Sequence, residues 1–234
     1  TAGDNLDFPP VGRILRGGGA FFIRRQFKGD QLYTLCLRSY IAKILAEGHN
    51  IEFFIEGGRS RTGKLLPPKY GILRMILDAY WSRHAAAPGS AAAIAPLKIV
   101  PCSVTYERLV EAKAHHNELV GGTKKSENIG ALLRSTQILT SRYGRLYVAF
   151  GEPIDVDAAM RDSALTPESP ADALMPFTGA LGRRVVHAIN SSAIVTPSAL
   201  MCLVLLNNPG RGISRARLLA TTGFVLNLLR HKGI

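Results

Sequence analysis

The sequence predicts an α/β fold: a mainly parallel or mixed sheet flanked by helices, followed by a C-terminal helical extension. Short apolar runs at residues 20–23, 51–55, 97–106 and 146–150 are separated by stretches whose apolar residues recur at helical spacing. Strands alternating with helices in this way imply a largely parallel sheet covered on its faces. After Asp172 the pattern is helical throughout. Hydrophobic residues make up 47% of 234, enough to exclude disorder and to fill a sizeable core.

Taken in order, a glycine turn at residues 17–19 leads into the first apolar run, which ends in Arg24-Arg25. Residues 31–47 place Leu32, Leu35, Cys36, Ile41, Ile44 and Leu45 at helical spacing and stop at Gly48. The run at 51–55 is expected to be a buried strand. Residues 70–81 return to helical period through Ile72, Leu73, Ile76 and Leu77, and the Ala, Pro, Gly and Ser of 85–95 suggest a flexible connection. The strand at 97–106 is interrupted by Pro101. A helix is expected at 127–143, then a strand at 146–150 ending in Gly151-Glu152-Pro153. Helices are expected at 174–189, 197–206 and 214–229, with a turn at Asn207-Asn208-Pro209-Gly210. Parallel sheets place ligands beyond the carboxyl ends of their strands. Arg24-Arg25, Glu56-Gly57-Gly58-Arg59 and Gly151-Glu152 all follow strands and are therefore expected along one edge.

The segment from Phe54 to Lys64 carries the most chemical information. An acid, two glycines and a set of cations follow an apolar strand directly. The glycines allow a tight turn and close backbone approach to a ligand. Arg59 and Arg61 are two residues apart, so in extended geometry both guanidinium groups face one side, suited to gripping a phosphate bidentately. The plainer alternative is a solvated charged turn; the apolar strand and the Gly-Gly pair argue against it. Gly58, four residues, then Gly63-Lys64 also approaches a nucleotide P-loop. The next residue is Leu65 where a magnesium-holding Ser or Thr belongs, and Pro67-Pro68 prevents a helix from starting at Lys64. The nucleotide reading is rejected.

Lys and Arg number 29 against 17 Asp and Glu, a formal charge of +12. Such an excess calls for an anionic partner: a membrane surface, a phosphorylated substrate or nucleic acid. Nucleic acid is disfavoured, because no basic stripe is interleaved with stacking aromatics and no zinc or helix-turn-helix pattern occurs. The three cysteines, Cys36, Cys102 and Cys202, sit among apolar neighbours and are expected to be buried reduced thiols. No signal peptide is visible, and the most apolar stretch, 193–206, is interrupted by Thr196, Pro197 and Ser198. The chain starts at Thr1 without Met, as a piece of something longer would.

Three motifs in order then point to a family. Residues 19–25 (Gly-Ala-Phe-Phe-Ile-Arg-Arg), 54–61 (Phe-Ile-Glu-Gly-Gly-Arg-Ser-Arg) and 99–101 (Ile-Val-Pro) resemble the second, third and fourth blocks of the glycerol-3-phosphate and dihydroxyacetone-phosphate acyltransferases. The resemblance runs from Thr1 to about Val156. It implies an acyltransferase-like core over 1–160 and a helical extension over 161–234. It also implies transfer of a fatty acyl group from acyl-CoA or acyl carrier protein to glycerol 3-phosphate, with no further cofactor and no metal, at the cytoplasmic face of an anionic membrane. Arg25, Glu56, Gly57, Arg59, Ser60, Arg61 and Pro101 would form the acceptor site. The arginines would neutralise the phosphate, and Glu56 would accept from a glycerol hydroxyl or hold an arginine. Other acceptors, dihydroxyacetone phosphate or a lysophosphatidate, remain open, as does a non-catalytic module that binds anionic lipid.

One departure stands out. The family's first block is His, four residues, then Asp, a base with its supporting acid. The residues five after His49, His84, His115, His116 and His187 are Phe54, Gly89, Val120, Gly121 and Ser192, and His231 has nothing that far on. No histidine here is a candidate catalyst, and His115-His116 has no carboxylate or cysteine cluster to make it a metal site. The expected account is truncation just before Thr1, with true loss of the pair as the alternative. Either way the isolated chain is expected to be inactive.

Overall fold

The computed structural model describes residues 1–24, 29–58, 60, 64–86, 95–107, 144–166, 169–210 and 212–232. The expected helix at 127–143, His115-His116 and most of the connection at 85–95 lie outside them. The chain divides into two compact units. The first comprises Thr1–Pro101 with Glu152–Ala188, the second Cys102–Gly151 with Ile189–Ile234.

In the first unit, β1 (Ala2–Gly3) pairs in parallel with β2 (Phe22–Ile23), and α1 (Val11–Gly17) lies between them in sequence. Helix α2 (Gln31–Ala46) begins at Asp30, whose carboxylate accepts the Tyr33 N–H at 2.9 Å and satisfies one of the donors a helix start leaves open. Helix α3 (Tyr70–Ala86) runs past the expected stop at Trp81. Leu37 and Ile41 of α2 meet Met75 and Ile76 of α3 in a buried cluster, against which Phe21, Ile23, Ile51, Phe53 and Leu97 pack. Strand β3 (Lys98–Ile99) pairs antiparallel with β6 (Ile154–Asp155), and the chain passes at once into α4 (Val156–Asp162), capped by Asp155 on the Ala158 N–H at 2.8 Å. Helix α5 (Leu174–Ser191) buries Leu174, Phe177, Thr178, Leu181 and Val185, a stripe at helical period. Gly182 on that stripe sits against the Tyr70 ring, where a Cβ would come within 2.8 Å of Cε1.

In the second unit, β4 (Cys102–Tyr106) and β5 (Leu146–Phe150) pair antiparallel over their full length, Cys102 opposite Phe150 and Tyr106 opposite Leu146. Ser103 Oγ donates to the Ser192 carbonyl at 3.0 Å. Helix α6 (Pro197–Leu206) has Thr196 as cap and Pro197 in its first turn, where a missing N–H costs nothing. Helix α7 (Arg215–His231) is capped by Ser214 and packs on α6.

The α/β character and the helical C-terminal region are as the sequence predicts. Three readings are corrected. Residues 51–54 form no strand: their side chains alternate between half-buried and exposed, but their backbone enters no ladder. The alternation comes from packing on the α2–α3 cluster, which needs period two but no neighbouring strand. The pairing among the described residues is one parallel and two antiparallel two-stranded sheets, rather than one largely parallel sheet. The three cysteines are free but exposed. Cys102 lies on the outward face of β4, and Cys36 and Cys202 on the outer faces of α2 and α6, so apolar neighbours in sequence did not become neighbours in space.

Candidate acceptor site

The loop after residue 55 is built from its two ends inward. Ile55 is buried and its carbonyl accepts the Lys69 N–H at 2.7 Å, joining the outgoing and returning chain. Gly57 closes a tight turn, its N–H donating to the Phe54 carbonyl at 3.0 Å, with φ at +61°. That left-handed value suits glycine. A Cβ there would also lie 2.8 Å from Lys69 Cγ, so the close approach of the returning chain excludes a side chain.

Glu56 is half-buried, and its Oε2 accepts the Leu66 N–H at 2.7 Å. The sequence left two roles open for this carboxylate, a hydroxyl acceptor or a brace for an arginine. The bond observed is a third: it ties the loop's return to its start. Leu66 precedes Pro67-Pro68, which hold the return extended. Ser60 Oγ is sealed from solvent and has no hydrogen-bond partner among the described residues. A buried hydroxyl without a partner costs free energy on the order of 1–3 kcal/mol. Lys64 and Lys69 are exposed and add cations on the returning side.

Of the residues singled out from sequence, Glu56, Gly57 and Ser60 stand together on this loop. Arg25, Arg59 and Arg61 lie outside the described residues. Arg24, beside Arg25, is already engaged: Nη1 donates to Asp30 at 3.2 Å, and the guanidinium lies 4.8 Å over the Tyr33 ring. Pro101 is fully buried where β3 ends and β4 begins, its ring preventing one continuous ladder. Among the described residues no three His, Cys, Asp or Glu side chains gather into a group that would hold a metal ion.

Sequence reasoning missed one polar network. Tyr80 is buried in α3; its hydroxyl donates to the Asp157 carboxylate, 2.9 Å from either oxygen, and accepts the Leu97 N–H at 3.1 Å. Burial pushes its phenol up to about 12, helped by the Asp157 and Asp155 carboxylates and opposed by the Leu97 N–H. The signal was present: Tyr80 continues the core stripe of Leu73, Ile76 and Leu77, and a buried tyrosine needs a partner for its hydroxyl. In the second unit Glu107 does similar work. Its carboxylate accepts the Arg145 N–H at 3.0 Å and the Tyr147 hydroxyl at 2.9 Å, and the first of these bonds leads in holding it below the usual carboxylate range.

Comparison with known proteins covers nearly the whole chain. Residues 1–105 match the acyltransferase family, and residues 115–234 match the glycerol-3-phosphate acyltransferase C-terminal region. The glycerol-3-phosphate acyltransferase of Pseudomonas paraeruginosa is 37% identical over 98% of this chain and 27% of its own length. The enzymes so named from Xanthomonas axonopodis pv. citri and Histophilus somni are each 38% identical, over 98% and 99% of this chain and 26% and 28% of theirs. The chain thus spans about a quarter of the length of these curated relatives. No solved structure is similar to it. With one family description covering half of its length and these relatives aligned over nearly all of this chain, the chain belongs to the glycerol-3-phosphate acyltransferase family.

Proposed function

We propose that this chain holds the phosphorylated acceptor in an enzyme that transfers a fatty acyl group to glycerol 3-phosphate in phospholipid synthesis, with acyl-CoA or acyl carrier protein as donor. The observation that carries this reading is the loop after Ile55. Within a chain aligned over nearly all of its length to enzymes of that name, it combines a turn that suits glycine, a side-chain clasp on the backbone and a buried hydroxyl with no partner among the described residues. Arg25, Arg59 and Arg61 neutralise the acceptor's phosphate, Ser60 donates to one of its oxygens, and Glu56 and Gly57 set the loop. Pro101 shapes the neighbouring chain. No metal and no further cofactor take part. None of the six histidines precedes an aspartate by five residues, so the reading assigns removal of the hydroxyl proton to no residue of this chain.

The enzyme works at the cytoplasmic face of the membrane as a peripheral protein. The net charge of +12 supports attraction to anionic headgroups. Among the described residues no helix is long and apolar enough to cross a membrane.

Titration of the 234-residue chain with glycerol 3-phosphate tests the acceptor assignment. Arg59→Ala is expected to weaken binding about 10- to 100-fold, the loss of one charge-assisted hydrogen-bonding group. Unchanged affinity in a folded Arg59→Ala protein would show the phosphate is held elsewhere. Competition with dihydroxyacetone phosphate and a lysophosphatidate ranks the three acceptors.

A further inference from the structure

Helix α5 carries two glycines in its interior, Gly179 and Gly182. Glycine is unfavourable there, because its backbone has the most freedom to lose. At Gly179 the packing does not call for it: among the described residues a Cβ would meet only Arg183 Nη1, at an ordinary 3.5 Å. Gly182 is different. A Cβ there would stand 2.8 Å from Tyr70 Cε1, 3.1 Å from Cδ1 and 3.5 Å from Leu73 Cδ2. Tyr70 and Leu73 are three residues apart and share one face of α3, and Leu73 is fully buried. The missing side chain at 182 is therefore a notch that receives the first turn of α3.

The loop after Ile55 is fastened to the start of the same turn. Lys69, the residue before Tyr70, donates its N–H to the Ile55 carbonyl at 2.7 Å. Its Cβ and Cγ lie 3.3 and 2.8 Å from the point that a Cβ of Gly57 would occupy. Ile55 and Gly57 flank Glu56, whose carboxylate holds the Leu66 N–H at 2.7 Å, so a shift of Lys69 reaches both arms of the loop. Two consecutive residues thus join α5 to the loop: Tyr70 fills the notch, and Lys69 bears on the glycine turn. Packed interiors have few voids to absorb a displacement, so it is passed on.

We propose that Gly182 of α5 is a positioning residue for the acceptor loop. By leaving room for the Tyr70 ring it seats the start of α3, and through Lys69 it sets where the turn at residues 55–57 stands. Gly182 touches no substrate; its effect on the acceptor runs through Tyr70 and Lys69. A methyl at 182 pushes the ring, and with it the first turn of α3, away from α5, and the loop's two arms move with Lys69. The consequence for binding rests on the acceptor reading given above, while the seat rests on the packing of α5, α3 and the loop.

The test reads hydrogen exchange of the Lys69 and Gly57 amides, and affinity for glycerol 3-phosphate, in the 234-residue chain and its variants. Gly182→Ala is expected to speed exchange at both amides and to weaken binding about three- to thirtyfold, the range for changes that act through a packed contact. Gly179→Ala, in the same helix but with room for its methyl, should leave both readouts at wild-type values and hold or raise the urea midpoint. Met160→Ala, which opens a cavity under α4, should lower the midpoint and move neither readout. In a Tyr70→Ala background, where the ring no longer fills the notch, Gly182→Ala should cost no further affinity. Wild-type affinity in a folded Gly182→Ala protein would mean that the ring turns aside without consequence for the loop, and would overturn the proposal. So would an equal effect of Gly182→Ala with and without the Tyr70 ring, or an equal effect of Met160→Ala. Faster exchange at Lys69 and Gly57 in Gly182→Ala, in a chain whose wild type shows no affinity for glycerol 3-phosphate, would leave the seat standing and count against the acceptor reading alone.

Discussion

Gly57 shows how one residue's identity is set twice over. Its φ of +61° is a conformation that side chains with a Cβ adopt at a cost of about 1–2 kcal/mol. The 2.8 Å approach of Lys69 Cγ to where a Cβ would stand adds a clash that a neighbour in the middle of a side chain does not relieve freely. Gly57→Ala is therefore expected to lower stability by about 1–2 kcal/mol in urea denaturation. A variant with wild-type midpoint would mean the loop adopts another backbone. The glycine pair and the acid before it were legible in the sequence as a tight turn delivering polar groups. The Glu56–Leu66 bond was not, because it joins residues ten apart across a loop whose return path no local pattern specifies.

At the scale of elements, α3 is held to the β3 and α4 segments by the Tyr80 hydroxyl. Tyr80→Phe leaves the Leu97 N–H without its acceptor, and a destabilisation of about 1–3 kcal/mol is expected. The pH dependence has a definite sign. The folded pKa of about 12 lies above the ordinary value of 10, so below pH 10 both folded and unfolded chains keep the proton and stability is full. Between pH 10 and 12 the unfolded chain ionises first, and stability falls. Urea midpoints at pH 8 and pH 11.5 should thus separate for the wild type by more than for Tyr80→Phe; equal separations would remove the buried phenol from the account. Glu107 has the opposite sign: its depressed pKa means that support for the open ends of β4 and β5 is lost as pH falls through that value. Helices α2, α3, α5, α6 and α7 were readable from the period of their apolar residues, and the structure adds that Asp30, Thr196 and Ser214 cap α2, α6 and α7. The run at 51–55 was misread because period-two burial against helices looks identical, in sequence, to half a buried sheet.

For the whole molecule, the acyltransferase match over residues 1–105 and the glycerol-3-phosphate acyltransferase C-terminal match over residues 115–234 meet in a chain in which no histidine precedes an aspartate by five residues. Incubated with acyl-CoA and glycerol 3-phosphate, the chain is expected to release no thiol above the uncatalysed rate. Appreciable release would mean that a base not recognised among its residues completes the site.

The sequence alone determined the α/β class, the helical C-terminal region, the glycine turn after residue 55 and the family, because each rests on short-range signals: periodicity, glycine and proline, and contiguous motifs. Tertiary structure alone decided that Glu56 clasps Leu66, that Tyr80 meets Asp157, that the cysteines face outward and that residues 51–54 pack without pairing. These depend on which distant segment lies alongside. Apolar burial is non-directional, so a pattern of burial does not name its partner.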